Sequence, residues 1–234
     1  MANQLYQYSI INALMDGVAS GGIELSNLQE LGDHGLGTFE SIDGEMVMID
    51  SISYHLRADG SIETATAHNK LPFAMVTNFT PTISGRKVSL PDKDAIYKTA
   101  KEMFPSTSNV YLALKIDGTF QRMKVRAVRG QRYKGQPLSE LGDSQAVNEY
   151  TNIEGTVFGF RSPPFSQGIS VAGGHLHFVS AKRDCGGHVL ELEASGAEIS
   201  GAVIKDVRIE LPESVEFNEA KLEKDAGGIG KIEG

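Results

Sequence analysis

Apolar positions along this chain recur at two spacings, and the changes between them predict its elements. Between Gln4 and Val18, residues Ile10, Ile11, Leu14, Met15 and Val18 fall three or four apart, the period of an amphipathic helix. From Gly37 to Glu63 the pattern shortens to strands and turns. Asp43-Gly44 and Asp59-Gly60, each flanked by apolar residues, predict hairpins there. Leu71 to Phe79 predicts a further strand. Asp92 to Met103, after Pro91, predicts a helix with Asp92 or Asp94 as its cap.

Strand spacing then returns. Val110–Ile116 and Thr119–Val128 flank Asp117-Gly118, which reads as a hairpin turn. A polar stretch with Gly and Pro from Gly130 to Gly142 is the best boundary, dividing the chain into residues 1–134 and 135–234. Beyond it, Gly155–Phe160, His175–Ser180, Gly187–Glu193 and Glu198–Leu211 predict more strands, and the charged, glycine-rich tail from Lys221 to Gly234 reads as frayed. The expected fold class is therefore mixed α/β (α+β): two sheet-based lobes with few helices.

Composition changes this picture only at its edges. The 234 residues suffice for one large domain or two small ones, and the 26 glycines are dispersed, which fits many tight turns rather than a linker. A net charge of −8 argues against a general nucleic-acid partner and requires local positive charge for any anionic substrate. One cysteine, Cys185, allows no internal disulfide. The beginning Met1-Ala-Asn-Gln lacks a basic and apolar leader, and no run approaches the ~18–20 apolar residues of a membrane span, so the expectation is a cytoplasmic protein without membrane contact.

The candidate chemistry lies in Gly173-Gly-His-Leu-His-Phe-Val-Ser and Asp184-Cys-Gly-Gly-His-Val-Leu. Strand side chains alternate faces, so His175 and His177 project together, about 6–7 Å apart. A hairpin through the turn with Gly186-Gly187 sets His188 beside them. Three neutral imidazoles suit Zn2+ or a similar divalent ion and leave coordination positions open. Cys185 lies near but in the turn, which makes it a bystander. His34, His55 and His68 stand alone and read as surface or satisfied core residues. Arg122, Lys124 and Arg126 share one strand face; alone, that pattern reads as a solvated cationic edge. Glu191 and Glu193 alternate outward and read as surface.

Three blocks resemble one family: Gly35-Leu-Gly-Thr38 with Asp43-Gly-Glu-Met46, Gly118-Thr-Phe120 with Lys124-Val-Arg126, and Gly174-His-Leu-His-Phe178 with Gly186-Gly-His-Val-Leu190. Their order and spacing, with Gln7-Tyr-Ser-Ile-Ile-Asn-Ala-Leu-Met near the start, are similar to α-acetolactate decarboxylases over nearly the whole chain. The resemblance implies a two-domain, mixed α/β subunit, a homodimer with zinc on His175, His177 and His188. It implies that Glu45 and Arg126 stand at the metal, that Thr38 lines the site, and that a second glutamate comes from the tail. Glu233 in Lys-Ile-Glu-Gly is the best match for that residue, with Glu223 as the fallback, so the tail is expected to close on the site. The implied reaction converts (S)-2-acetolactate, a 2-hydroxy-3-oxo acid, to (R)-acetoin and CO2, in the acetoin and butanediol branch of pyruvate catabolism. Loss of CO2 leaves an enediolate; zinc is the expected electron sink, Arg126 the partner of the substrate carboxylate, and Glu233, or else Glu45, the proton donor. The alternatives are a cupin-type metal-binding β-protein and a non-catalytic binding module of the same fold. A cupin places a carboxylate ligand soon after its His-x-His pair. Here Asp184 comes only at the turn, seven residues after His177.

Overall fold

The computed structural model describes residues 2–142 and 145–223. Strands account for 49% of the structure and helices for 16%, so the fold is sheet-dominated, as the turn-rich pattern predicts. A seven-stranded mixed sheet is built from β1 (Gln4–Tyr8), β3 (His34–Thr38), β4 (Glu45–Ile49), β5 (Ile52–Leu56), β6 (Ile62–Thr64), β8 (Phe73–Thr77) and β14 (Asp206–Glu210), in the order β14-β1-β8-β3-β4-β5-β6. A five-stranded sheet contains β9 (Ile83–Leu90), β10 (Tyr111–Ala127), β11 (Ala146–Ser162), β12 (Gly173–Ser180) and β13 (Gly186–Ile204). Its β10 pairs with both β11 and β13, so β10 to β13 close into a four-stranded ring with β9 laid on β13. A two-residue pair, β2 (Ile23–Glu24) with β7 (Lys70–Leu71), completes the sheets.

The helices are short: α1 (Ile11–Met15), α2 (Leu25–Gln29), α3 (Asp94–Met103), α4 (Leu138–Leu141) and α5 (Val215–Glu219). None among the described residues is long and apolar enough to cross a membrane. One core joins the sheets, with Leu36, Val47 and Met75 from the larger meeting Ala113, Phe158 and Phe160 from the ring. A second fills the ring under α3, and a third covers the outer face of the larger sheet under α2.

Three readings of the pattern are corrected here. Gln4–Tyr8 is a strand, and the helix predicted from Gln4 to Val18 shrinks to α1. The reason is two-sided burial: Leu5 enters the inter-sheet core, Tyr6 the outer one, and β1 bonds to both β14 and β8. Asp117-Gly118 is no turn either. It lies within the continuous β10, opposite Thr156 and Gly155, and beside a register shift against β13. A Cβ at Gly118 would lie 3.0 Å from Ala197 Cα, so this glycine permits strand approach rather than reversal. The two predicted strands after His188 likewise begin within one, β13, before the chain turns into β14. The hairpins at Gly44 and Gly60 form as expected, with φ of +76° and +87°. Helix α3 starts where predicted, and the Asp92 carboxylate accepts the Ala95 N–H at 2.8 Å.

Candidate metal centre

Strand register assembles the site. His177 of β12 stands opposite His188 of β13, and His188 stands opposite Arg126 of β10. Residues directly opposite in a sheet project to the same face. One row across three strands therefore carries Arg126, His188 and His177, and His175 follows two residues along β12. The ring centroids form a near-equilateral triangle, 5.1 Å for His175–His177, 5.1 Å for His175–His188 and 5.4 Å for His177–His188. One nitrogen from each ring lies within 4.8 Å of the others, and all three residues are buried.

Close packing makes room for this triangle. Gly159 of β11 lies against the His175 backbone, and a Cβ there would come within 2.0 Å of the His175 carbonyl. Gly187 has a φ of +148° and abuts the Arg126 carbonyl, where a Cβ would sit at 2.5 Å. Glycines at these positions set the interstrand approach that His175 and His188 require.

The seven-stranded sheet supplies the other side. Glu45 begins β4, is 6% exposed, and accepts a hydrogen bond of 3.0 Å from Arg126 Nη1. Its second carboxylate oxygen lies 3.4 Å from His177 Nε2. The next residue, Met46, accepts a hydrogen bond of 2.8 Å at its carbonyl from His177 Nδ1. A carbonyl only accepts, so Nδ1 carries a proton and Nε2 is the ring nitrogen directed at the Glu45 carboxylate. Nε2 and the carboxylate thus converge on the space beside the other imidazoles. The donor set of three imidazoles with an adjacent carboxylate fits a divalent ion.

Electrostatics point the same way. Burial, then the charges of Arg126 and Lys93, lowers the His175 pKa to about 3. Burial, Arg126 and the neighbouring histidines hold His188 well below the ordinary range. Both rings are therefore neutral at pH 7, the state in which imidazole binds a metal.

Thr38 ends β3 and is buried; its hydroxyl donates to the Gly44 carbonyl at 2.7 Å. With Glu45 and His175 it lines a narrow cavity, otherwise walled by Ile11, Leu14, Gly37, Ile42, Phe73, Val128 and Leu138. Broader hollows occur on the surface, but this one adjoins the imidazole triangle.

The site histidines, Glu45, Arg126 and Thr38 named from the sequence thus lie in one region. The cationic face divides as expected: Arg122 and Lys124 reach outward to Glu149 and Glu191, whereas Arg126 is 1% exposed under Glu45. Cys185 is buried and stands outside the triangle. Glu233 lies outside the described residues. Glu223, at the end of the described chain, is exposed. Just before it, Asn12 of α1 donates to the Leu222 carbonyl at 2.8 Å, and Lys221 N–H donates to Asp16 at 2.8 Å. No side-chain pattern signals the Met46 carbonyl. His55, alone in the sequence, donates from Nε2 to the Asp43 carbonyl at 2.6 Å while its ring stacks on Phe39 at 3.9 Å, bracing the turn before Glu45.

Residues 5–224 match the family model for alpha-acetolactate decarboxylase. The chain belongs to the α-acetolactate decarboxylase family. Among relatives, the alpha-acetolactate decarboxylase of Bacillus subtilis strain 168 is 33% identical over 94% of this chain and 86% of its own length. That of Klebsiella aerogenes is 36% identical over 93% of this chain and 84% of its own. The crystal structure of the B. subtilis decarboxylase superposes with a TM-score of 0.94 at 33% identity and 99% coverage of both chains. A Staphylococcus aureus protein described as of unknown function and similar to alpha-acetolactate decarboxylase gives 0.93 at 29% identity, covering 99% of this chain and all of its own. The fold of the described residues is therefore that of the decarboxylase family.

Proposed function

We propose that this protein catalyses the zinc-dependent decarboxylation of (S)-2-acetolactate to (R)-acetoin and CO2. The observation that carries the reading is the triangle of buried imidazoles facing the Arg126–Glu45 pair, in a chain of this family. His175, His177 and His188 would hold the ion, which when bound supplies a Lewis acid for the negative charge that develops as CO2 departs.

The chain's own residues supply the remainder. Arg126 is a rigid planar donor, already oriented by Glu45, and it positions the substrate carboxylate at the mouth of the His row. The apolar walls contributed by Ile11, Leu14 and Ile42 exclude water from the reacting carbons and strengthen each polar contact made there. Thr38 presents its hydroxyl oxygen as a fixed polar point in that wall. Glu233 is assigned the proton delivered to the enediolate carbon on one face, which sets the stereochemistry, with Glu45 as the alternative donor. In support, residues 221 and 222 are tied to α1, whose Ile11 and Leu14 line the cavity. The homodimer rests on the family resemblance, and the cytoplasmic location on the single cysteine.

The test is acetoin formation from racemic 2-acetolactate by protein as purified, stripped with chelator and restored with zinc. Activity lost on stripping and regained with zinc is the expected result. No acetoin from zinc-loaded protein would leave a non-catalytic member of the fold as the reading. Glu233→Gln should lower turnover by about 10²-fold or more, the ordinary worth of a proton donor.

A further inference from the structure

The connection between β3 and β4 carries an unusual backbone. Ser41, Ile42 and Gly44 all have left-handed φ values, of +63°, +55° and +76°. Glycine takes this conformation without cost, and at Gly44 nothing else fits, since a Cβ there would lie 2.4 Å from the Leu56 carbonyl. Ile42 is the opposite case. A β-branched residue in the left-handed region is a genuine outlier, and such strain persists only where the surroundings over-determine it.

The surroundings here do so. The Ser41 N–H donates to the Ala19 carbonyl at 2.8 Å, and the Ser41 carbonyl accepts from Gln131 N–H at 2.7 Å. On the other side, the Asp43 carbonyl accepts from His55 at 2.6 Å, and the Gly44 N–H donates to the Val128 carbonyl at 3.1 Å. Ile42 is held between two pinned peptides. Its side chain is 2% exposed and lines the narrow cavity beside Glu45 and His175. Glycine would remove the backbone cost, whereas the branched side chain keeps an apolar surface both in the core between the sheets and against the cavity.

We propose that Ile42 is a specificity-determining residue, the apolar wall that limits the alkyl group a 2-hydroxy-3-oxo acid carries at C2. This rests on the decarboxylase reading and places the C2 methyl of 2-acetolactate against that wall. Specificity then follows from size. One methylene in a hydrophobic pocket is worth about 10–200-fold in kcat/KM.

The experiment compares 2-acetolactate with its homologue bearing ethyl in place of methyl at C2, in the zinc-loaded wild type, Ile42→Val and Ile42→Ala. The kcat/KM ratio of ethyl to methyl substrate should rise by about tenfold or more in Ile42→Ala and by a smaller factor in Ile42→Val. A ratio within about twofold of wild type in both variants, with methyl turnover retained, would overturn the proposal. So would loss of both activities in Ile42→Val, which removes a single methyl group and keeps the branch. A readout independent of turnover is the melting of metal-free protein. Ile42→Gly should melt about 2–4 °C above Ile42→Ala, because only glycine relieves the left-handed cost. Equal melting would remove the strain on which the inference stands. A wild type that forms no product from either substrate would instead overturn the decarboxylase reading, and the Gly–Ala melting difference would still report the backbone.

Discussion

Replacing Arg126 by methionine keeps much of the side-chain volume and removes the guanidinium that faces Glu45. The side chains of this pair are 1% and 8% exposed, so solvent screens their 3.0 Å contact only weakly. Breaking a buried ion pair by deleting one partner costs about 3–5 kcal/mol, against about 0–1 kcal/mol for a surface pair. At about 2–4 °C per kcal/mol for a chain of this size, the loss is on the order of 10 °C in Tm. The assay is urea unfolding of chelator-treated protein, with the slope compared between variants so that a change in midpoint reports stability. Glu45→Gln and the double variant complete a cycle, and a coupling of about 0.5–3 kcal/mol is expected between contacting groups. Arg126→Lys keeps the charge but not the fork. It should recover part of the stability while turnover stays low. The guanidinium also lowers the pKa of His175 and His188, so both should rise when it is removed. A stability loss under about 1 kcal/mol for Arg126→Met, or strictly additive effects, would refute the reasoning.

Three further outcomes follow from the same geometry. Zinc at a thousandfold excess over its Kd should stabilise the protein by about 4 kcal/mol, and His188→Leu should abolish that shift; a zinc-dependent rise in Tm that survives the substitution would place the ion elsewhere. Metal-free protein should lose stability as pH falls below about 6.5. Its buried imidazoles have folded pKa values below the unfolded one, His175 at about 3, so the unfolded state binds more protons across that window and the contribution is complete only above it. Urea midpoints that stay flat from pH 7 to 5 would contradict this. Gly159→Ala drives a methyl group into the His175 carbonyl and should destabilise the protein by about 1–3 kcal/mol while weakening zinc affinity in titration; unchanged affinity would show that β11 does not seat His175.

The His-x-His pair and the later histidine could be read from the sequence because they depend on local rules. Strand alternation puts His175 and His177 on one face, and a short turn returns the chain to His188. The hairpins at Gly44 and Gly60 and helix α3 were legible for the same reason: their signals lie within a few residues. Family resemblance added Thr38, Glu45 and Arg126, for which local pattern gave no role or suggested only a solvated edge. What no local pattern contained was the meeting of the two sheets. Arg126 and Glu45 are 81 residues apart in sequence, and His177 and Met46 are 131 apart. Burial that turns Arg126 from a surface cation into the partner of Glu45 is a property of the assembled sheets. So is the two-sided packing that makes Gln4–Tyr8 a strand, and so is the ring of β10 to β13 that runs through Asp117-Gly118 without turning. Ile42 belongs here too, since its neighbours Ser41, Asp43 and Gly44 are pinned by hydrogen bonds with Ala19, Gln131, His55 and Val128, residues that only folding brings to it. Alternation and turn chemistry act over a few residues and are written in the chain. Burial, register between distant strands and backbone strain depend on contacts that exist only in the folded protein.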